Sequence, residues 1–364
     1  MKIAYIVTRS DTIGGSHIHV RDLCSKMRDK GHQAMIFVGG KGPFTENLKS
    51  RNIPYYPLSL LQRSIHPVKD FKALFELRSI LKRYNPDIIS THSSKAGFLG
   101  RIAARTLNIP VIFTAHGWSF TDGVKRATLY KWAEKAVSPF SDKIITVSIY
   151  DKEIALKNGV ASEKKLLPIH NGMPSKVNGS SSSLEKDKMV HLAMTARFDD
   201  QKDHDSLIEA CRNIKNVHLD LIGDGPEMDR IKGKVVECGM DHRVTFWGLI
   251  DNVEEVLANV DIFGLISNWE GFPRSTLEAM RAGLPCIVSD VGGSNEAIVE
   301  GETGYVVPRG DVELIKKRVQ TLVEDAEKRR AMGEAAHKHF QNNFTFEIMF
   351  EKTYKVYEEV LNRA

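Results

Sequence analysis

The chain has 364 residues, 42% hydrophobic and 27% charged, with a formal net charge of +5. These values fit a folded globular protein and exclude collagen-like, coiled-coil and disordered classes. No apolar run reaches the roughly 20 residues needed to span a bilayer. The small net charge hides an uneven distribution: 27 Lys and Arg face 13 Asp and Glu through Ser175, and 24 face 33 after it. A basic first half and an acidic second half predict two domains with different partners.

In chain order, the N-terminus reads as a strand over 3–8, because its apolar run soon meets Arg9 and Asp11. It lacks the long apolar region and cleavage site of a signal peptide. Val20, Leu23 and Met27 mark a helix over 16–30, followed by a strand over 34–38. A helix over 67–84 is expected to place Phe71, Leu74, Phe75 and Leu81 on one face. Strands over 87–90, 111–114 and 143–147 then alternate with helices over 95–107 and 125–137. This alternation predicts a doubly wound α/β unit with a parallel sheet.

The rhythm breaks over about 171–188, where Asn171 opens an Asn-Gly-Met-Pro turn and a Ser-rich run follows. Strands over 191–196, 219–222, 244–246, 261–266 and 286–288 resume it. The expected division is a first domain over 1–172 joined by a C-terminal helix over 345–364, and a second Rossmann-like domain over 173–344. Phe346, Met349, Phe350, Tyr354 and Tyr357 give that helix a face too apolar for solvent, which points back to the first domain. The scattered Cys24, Cys211, Cys238 and Cys286 read as reduced thiols of a cytoplasmic protein without a zinc site.

Doubly wound sheets bind ligands at the carboxyl ends of their strands, so the cleft between the domains is the expected site. Gly14-Gly15 follows the first strand and precedes a helix, which suits close approach to an anion or a plain tight turn. Neither a dinucleotide-binding G-x-G-x-x-G there nor a phosphate-loop signature anywhere is found. Arg197 and Lys202 follow a strand and could clamp a diphosphate, or simply be solvated. Asp203-His204-Asp205 could hold a metal, but at a helix start it reads as a cap. Gly223-Asp224-Gly225 reads as a turn with Pro226 at the first helical position. The most informative stretch runs from Glu270 to Ala279, where Pro273 marks a helix N-terminus. Free backbone amides near Arg274, Ser275 and Thr276, just after Phe272 and Pro273, would receive phosphate there, between the carboxylates of Glu270 and Glu278.

Glu270 and Glu278, with seven residues between them, resemble the E-x7-E element of retaining glycosyltransferases of the GT4 family, which have the GT-B fold. Further motifs resemble that family in the same order: Gly14-Gly15, the His-Gly at His116, Arg197 through Lys202 with Ala196 in place of the usual Gly, Gly223 through Pro226, and Gly292-Gly293 with Glu296. The resemblance covers nearly the whole chain. It implies transfer of a hexose or N-acetylhexosamine from a nucleotide sugar, by pathway analogy a UDP-sugar, with retention of configuration. Arg197 and Lys202 would neutralise the diphosphate, Glu278 would hold ribose hydroxyls, and Glu270 and His116 would meet the donor sugar. Gly248, Leu249 and Ile250 would face the base.

The acceptor it implies is a sugar on undecaprenyl diphosphate in surface polysaccharide assembly, met by His92, Ser93 and Lys95. Arg63, Lys69, Lys72, Arg78, Lys82, Arg83, Lys125, Arg126, Lys131 and Lys135 cluster around Phe71, Phe75, Leu129 and Trp132. This combination suits peripheral contact with an anionic inner membrane, or else solvated helices with core-facing apolar stripes. No obligate metal or other cofactor and no nucleic-acid partner is expected. The alternatives are a nucleotide-sugar epimerase or soluble-acceptor synthase of the same fold, and a non-enzymatic module binding a sugar nucleotide or nucleic acid.

Overall fold

The computed structural model describes residues 1–120, 127–175 and 189–363. Two compact units form, one of Met1–His170 with Phe350–Ala364 and one of Asn171–Met349. The first unit contains β1 (Lys2–Val7), α1 (Gly15–Asp29), β2 (Gln33–Gly39), α2 (Pro43–Ser50), β3 (Tyr55–Leu58), α3 (Pro67–Tyr84) and β4 (Ile88–His92). It continues through α4 (Ser94–Leu107), β5 (Val111–Ala115), α5 (Ala127–Val137), β6 (Lys143–Thr146), α6 (Ile149–Lys157) and β7 (Leu166–Pro168). All strands are parallel, in the order β3-β2-β1-β4-β5-β6-β7. The direction of winding reverses between β1 and β4, so the loops after these strands part there and leave a crevice at their carboxyl ends.

Helices on both faces explain why strand residues read as continuous apolar runs. Ile3, Ala4, Tyr5 and Ile6 are wholly buried. The two edge strands each contain a proline, Pro57 in β3 and Pro168 in β7. An edge tolerates the missing N–H and is thereby blunted against pairing with another chain.

The second unit contains β8 (Val190–Thr195), α7 (His204–Cys211), β9 (Val217–Ile222), α8 (Met228–Glu237), β10 (Val244–Gly248), α9 (Val253–Leu257) and β11 (Ile262–Leu265). α10 (Arg274–Arg281), β12 (Cys286–Ser289), β13 (Gly304–Val307), α11 (Val312–Glu324) and α12 (Ala326–Asn343) follow. Its parallel sheet has the order β10-β9-β8-β11-β12-β13, with the reversal between β8 and β11. The last helix, α13 (Phe346–Leu361), starts in the second unit, and from Phe350 onward it belongs to the first. Its apolar face is buried as the spacing predicts, with Phe350 and Tyr357 fully covered. Lys30 pairs with Glu351 at 2.9 Å, and His32 stacks on Tyr354.

Two expectations need correction. Phe71 and Phe75 are 63% and 55% exposed, whereas Ala73, Leu77 and Leu81 are buried. On a 3.6-residue helix, Phe71 and Phe75 lie roughly 60–120° round from Leu74 and Leu81, so they stand at the outer margin of the buried stripe and not at its centre. Pro226 is not the first helical residue, because α8 begins at Met228 with Glu227 as its N-cap. The expected helix over 125–137 is seen from Ala127; Lys125 and Arg126 lie outside the described residues, as does the Ser-rich run over 180–183.

One buried charge ties the helices beside the first sheet. Arg101 on α4 is fully buried, donates to Glu134 of α5 at 2.6 Å and to the carbonyl of Gly97 at 2.8 Å, and lies over the Phe113 ring. Removing one partner strands the other charge in low dielectric. Glu134→Ala should therefore cost about 3–5 kcal/mol in urea unfolding, while an apolar replacement of both partners should recover most of that loss.

Candidate active site

Polar groups collect where the strands of the first unit end. Val7 and His92 are neighbours in register at the ends of β1 and β4. Just beyond them, Thr8 and Ser93 hydroxyls meet at 2.6 Å, and Ala96 N–H donates to Thr8 Oγ1 at 3.0 Å. Ser93 holds φ 69°, ψ 154°, a conformation that costs a non-glycine residue about 1–3 kcal/mol and persists only where its surroundings enforce it. His116 follows β5 and is half-buried; its Nε2 lies 3.1 Å from Nδ1 of His92. His19 on α1 packs edge-on to His116 at 4.9 Å. One nitrogen from each of these three imidazoles lies within 4.8 Å of the other two.

Two groups expected to meet an acceptor are committed elsewhere. His92 is fully buried and touches His116 and Ser90, so it reaches no ligand directly. Lys95 binds Asp70 at 2.6 Å and the carbonyl of Ser64, which ties the start of α4 to α3 and the loop before it. Ser93 remains half-exposed at the crevice. Gly14 and Gly15 are exposed at the start of α1. Gly14 has an ordinary φ of −133°, and an added Cβ would meet nothing nearer than 3.9 Å. Nothing inside the protein demands a glycine there, which leaves space for a ligand over the helix N-terminus.

In the second unit, the loops after β8 and β11 are joined. Lys202 Nζ binds Glu270 Oε1, and both side chains are largely buried. Ser267 Oγ donates to the same oxygen at 2.7 Å, and Gln201 Nε2 reaches the other at 3.3 Å. Glu270 is thus held from three sides. Arg197 lies apart from this network, with a 73% exposed side chain 3.6 Å from Asp199. The two cations expected to clamp a diphosphate are therefore not a preformed pair: one is anchored and one is free to swing. Gly292, at φ 59°, lets the loop after β12 lie against the carbonyl of Glu270, where a Cβ would stand 1.9 Å away. Gly293 N–H then donates to Gly271 O at 2.9 Å.

Helix α10 opens at Pro273 as its proline predicts. The first-turn amides of a helix, here Arg274, Ser275 and Thr276, have no intrahelical acceptor. Phe272 itself is buried against Phe344, and its carbonyl accepts from Asn171 Nδ2 at 2.9 Å. Arg274 donates to Gly172 O at 3.3 Å. Gly248 closes β10 at φ 66° and accepts from Gly223 N–H at 2.9 Å. Beyond it Leu249 is 86% exposed, an apolar surface at the strand's carboxyl end, with Ile250 half-buried beside it.

The D-x-D stretch is used structurally. Asp203 caps α7 by accepting from Ser206 N–H at 3.0 Å, and Asp205 forms a two-pronged pair with Arg230. His204 between them stacks on Phe198, and burial with Lys202 nearby pushes its pKa down to about 4. Another close group, His191, His218 and Asp220, lies on β8 and β9 toward the amino ends of those strands, away from the loops just described.

Sequence reasoning missed Thr8, His19, Gln201, Ser267, Ser90 and Tyr357. His19 carried a signal, a histidine among the apolar positions of a helix stripe. Ser267 carried another as the first polar residue after an apolar strand. Gln201 and Tyr357 carried none, because their partners lie far away in sequence.

Glu278 differs from Glu270. It is half-buried, and its carboxylate has no hydrogen-bond or ion-pair partner among the described residues. Burial pushes its pKa up, partly opposed by Arg274 and Arg281. A raised pKa means the folded state holds the proton more tightly than the unfolded chain, so ionisation above the ordinary carboxylate range lowers stability. Glu278→Gln should raise the Tm of the ligand-free protein at pH 7 by roughly 1–3 °C. That gain should vanish as the pH falls below the ordinary carboxylate range, as read by calorimetry across pH.

The sequence matches two family descriptions, Glycosyltransferase Family 4 over residues 13–176 and Glycosyl transferases group 1 over residues 179–339. It is 31% identical over 308 residues to the Escherichia coli UDP-Gal:alpha-D-GlcNAc-diphosphoundecaprenol alpha-1,3-galactosyltransferase, covering 78% of each chain. It is 27% identical over 390 residues to the Bacillus anthracis N-acetyl-alpha-D-glucosaminyl L-malate synthase, covering 99% of this chain and 98% of the other. The structure superposes on Anabaena HepE in complex with UDP with a TM-score of 0.87 at 19% identity, over 99% of this chain and all of that one. At that identity the likeness speaks for the fold alone.

Proposed function

We propose, given that this chain belongs to glycosyltransferase family 4, that it moves a hexose or N-acetylhexosamine from a UDP-sugar to a lipid-linked saccharide with retention of configuration. The observation that carries this reading is the pairing of an anchored Lys202–Glu270 network with Glu278, one turn into α10, whose carboxylate has no hydrogen-bond or ion-pair partner among the described residues. Such a carboxylate is a ready acceptor for two ribose hydroxyls, and the amides of Arg274–Thr276 suit the diphosphate. Exposed Leu249 offers the base an apolar surface after Gly248. The relative whose name carries both UDP-Gal and a diphosphoundecaprenol acceptor supports the choice of base and acceptor class.

In the reaction we infer, the acceptor hydroxyl oxygen attacks the anomeric carbon from the face the diphosphate leaves. The bond from that carbon to the β-phosphate oxygen breaks, and this oxygen takes the acceptor proton. Negative charge grows on the leaving phosphate, where cations placed beforehand lower the barrier most. Lys202 supplies one charge from a fixed position, and Arg197 supplies the second on closing over the donor. Glu270 serves as a ligand to a donor hydroxyl and not as a nucleophile, since its oxygens are already engaged by Lys202, Ser267 and Gln201. His116, with Ser93 and the Gly14 loop in the first unit, shapes the reacting face and the acceptor's approach. With charge supplied by side chains, no metal is required in this reading.

The acceptor reading also draws on the first unit's surface. Val68, Phe71 and Phe75 of α3 and Leu129 and Trp132 of α5 are more than half exposed, among Lys69, Lys72, Lys131 and Lys135. Both helices pack on α4, and their first turns lie at the carboxyl end of the sheet, the end that carries Ser93 and His116. Exposed aromatics interleaved with lysines suit the interface of an anionic bilayer. No helix among the described residues is long and apolar enough to cross a membrane. A second reading, transfer to a small soluble acceptor, is favoured by the N-acetyl-alpha-D-glucosaminyl L-malate synthase, which matches along nearly the full length of both chains.

A thermal-shift panel of nucleotides should single out UDP and UDP-sugars, and Glu278→Gln should erase that shift and cut turnover by at least about 100-fold. Lys202→Met should lower kcat by about 100–1000-fold, while EDTA should leave the rate within about twofold. A fully active Glu278→Gln would overturn the donor-site assignment. In liposome flotation, a Phe71→Ser, Phe75→Ser double variant should lose about tenfold or more in binding to anionic vesicles. Equal binding to neutral vesicles would count against electrostatic docking, and binding to neither kind would favour the soluble-acceptor reading.

A further inference from the structure

The fully buried His92 is bonded at both ring nitrogens. Its Nδ1 lies 3.1 Å from Nε2 of His116, and its Nε2 lies 3.0 Å from Oγ of Ser90. Ser90, also fully buried, receives a 2.7 Å hydrogen bond from the hydroxyl of Tyr357 on α13. The two imidazoles stack with centroids 5.3 Å apart. Four side chains from β4, the loop after β5 and the returning C-terminal helix thus form one line within the first unit.

Counting protons sets the direction of this line. Tyr357 donates to Ser90, so the Ser90 proton is left for Nε2 of His92. His92 must then carry its own proton on Nδ1, pointed at Nε2 of His116. Each proton is used once and no buried hydroxyl is stranded. The opposite order leaves a hydroxyl proton without an acceptor in a place closed to water.

We propose that His92 is a positioning residue which, backed by Ser90 and Tyr357, holds His116 as the neutral tautomer protonated on Nδ1. This rests on the role given above to His116 in the reaction. Second-partner hydrogen bonds of this kind fix both the orientation and the tautomer of a working imidazole. His116 Nε2 cannot take a proton without breaking its bond to His92, so His116 stays neutral at a lower pH than it otherwise would. Among the described residues, the titratable groups against the pair are Tyr5 of β1 and His19 of α1, with Tyr357 of α13 and Cys24 of α1 beyond them. Burial pushes Tyr357 and Cys24 up to about 12 and raises Tyr5, while burial and then His116 hold His92 well below its ordinary value. A neutral His92 is what the line requires.

The test is a 15N-histidine NMR titration of the full-length protein, run beside pH profiles of kcat/KM. The wild type should show His116 protonated on Nδ1. His92→Phe and Tyr357→Phe should each move the acid limb of the profile to higher pH, by about 0.5–1 pH. His92→Phe should also lower kcat about 10–100-fold with donor KM within about twofold. His92→Asn places an amide N–H near the lost Nδ1–H, and should restore both the limb and most of the rate. Wild-type His116 protonated on Nε2 would overturn the proposal. So would an acid limb unmoved in both Phe variants, or His92→Asn behaving as His92→Phe does. Should His92→Phe not fold, Tyr357→Phe and His92→Asn still decide it. A fully active His116→Ala would sink the catalytic reading while leaving the tautomer result to stand or fall separately.

Discussion

A parallel sheet covered by helices on both faces has only its carboxyl edge to offer for chemistry. Within the strands, side chains are packed in the core, and the buried Ile3, Tyr5, Leu265 and Ile287 show how little room is left for polar groups. Most polar residues therefore gather where strands end, Thr8 and His92 in one unit, Ser267 and Glu270 in the other; Ser90 and Thr91 within β4 and Asp220 within β9 are buried and hydrogen-bonded. Where the winding reverses, between β1 and β4 and between β8 and β11, the loops separate. The Thr8–Ser93 hydrogen bond and the Lys202–Glu270 ion pair join the two sides of each gap.

Burying charge at these edges is costly, and the protein handles the cost in three ways. Arg101 is neutralised by Glu134 and by a carbonyl, which serves packing. Lys202 and Glu270 neutralise one another, which holds both in place ahead of a ligand. Glu278 has no hydrogen-bond or ion-pair partner among the described residues, and burial raises its pKa against the opposing charges of Arg274 and Arg281. The third arrangement gives up stability, as groups kept for function commonly do.

The C-terminal helix has more than a packing role. Its buried Tyr357 hydroxyl reaches Ser90 and through it His92, so a residue close to the end of the chain stands behind the imidazole of His116. The exposed aromatics of α3 and α5 lie toward the same end of the same sheet. One edge thus combines a constrained imidazole, a strained Ser93 and an apolar, basic border.

Much of this was legible in the sequence. Periodicity identified the strands and most helices, because parallel-sheet strands must be apolar throughout and amphipathic helices repeat every 3.6 residues. Pro273 placed the start of α10, and the spacing of Glu270 and Glu278 pointed to the family, since both are local signals. The sequence could not show that Phe71 and Phe75 face outward, that Lys95 is occupied by Asp70, or that His92 is sealed beneath His116. Nor could it separate the anchored Lys202 from the free Arg197. Those outcomes depend on which groups from distant strands arrive at the same edge, and on how deeply packing buries them. The sequence by itself determined the elements, the parallel architecture and the chemical types available at the site. Only the tertiary structure decided which carboxylate is paired, which cation is free and which histidine stands behind the other, because burial and long-range contact set the energy of each charge and proton.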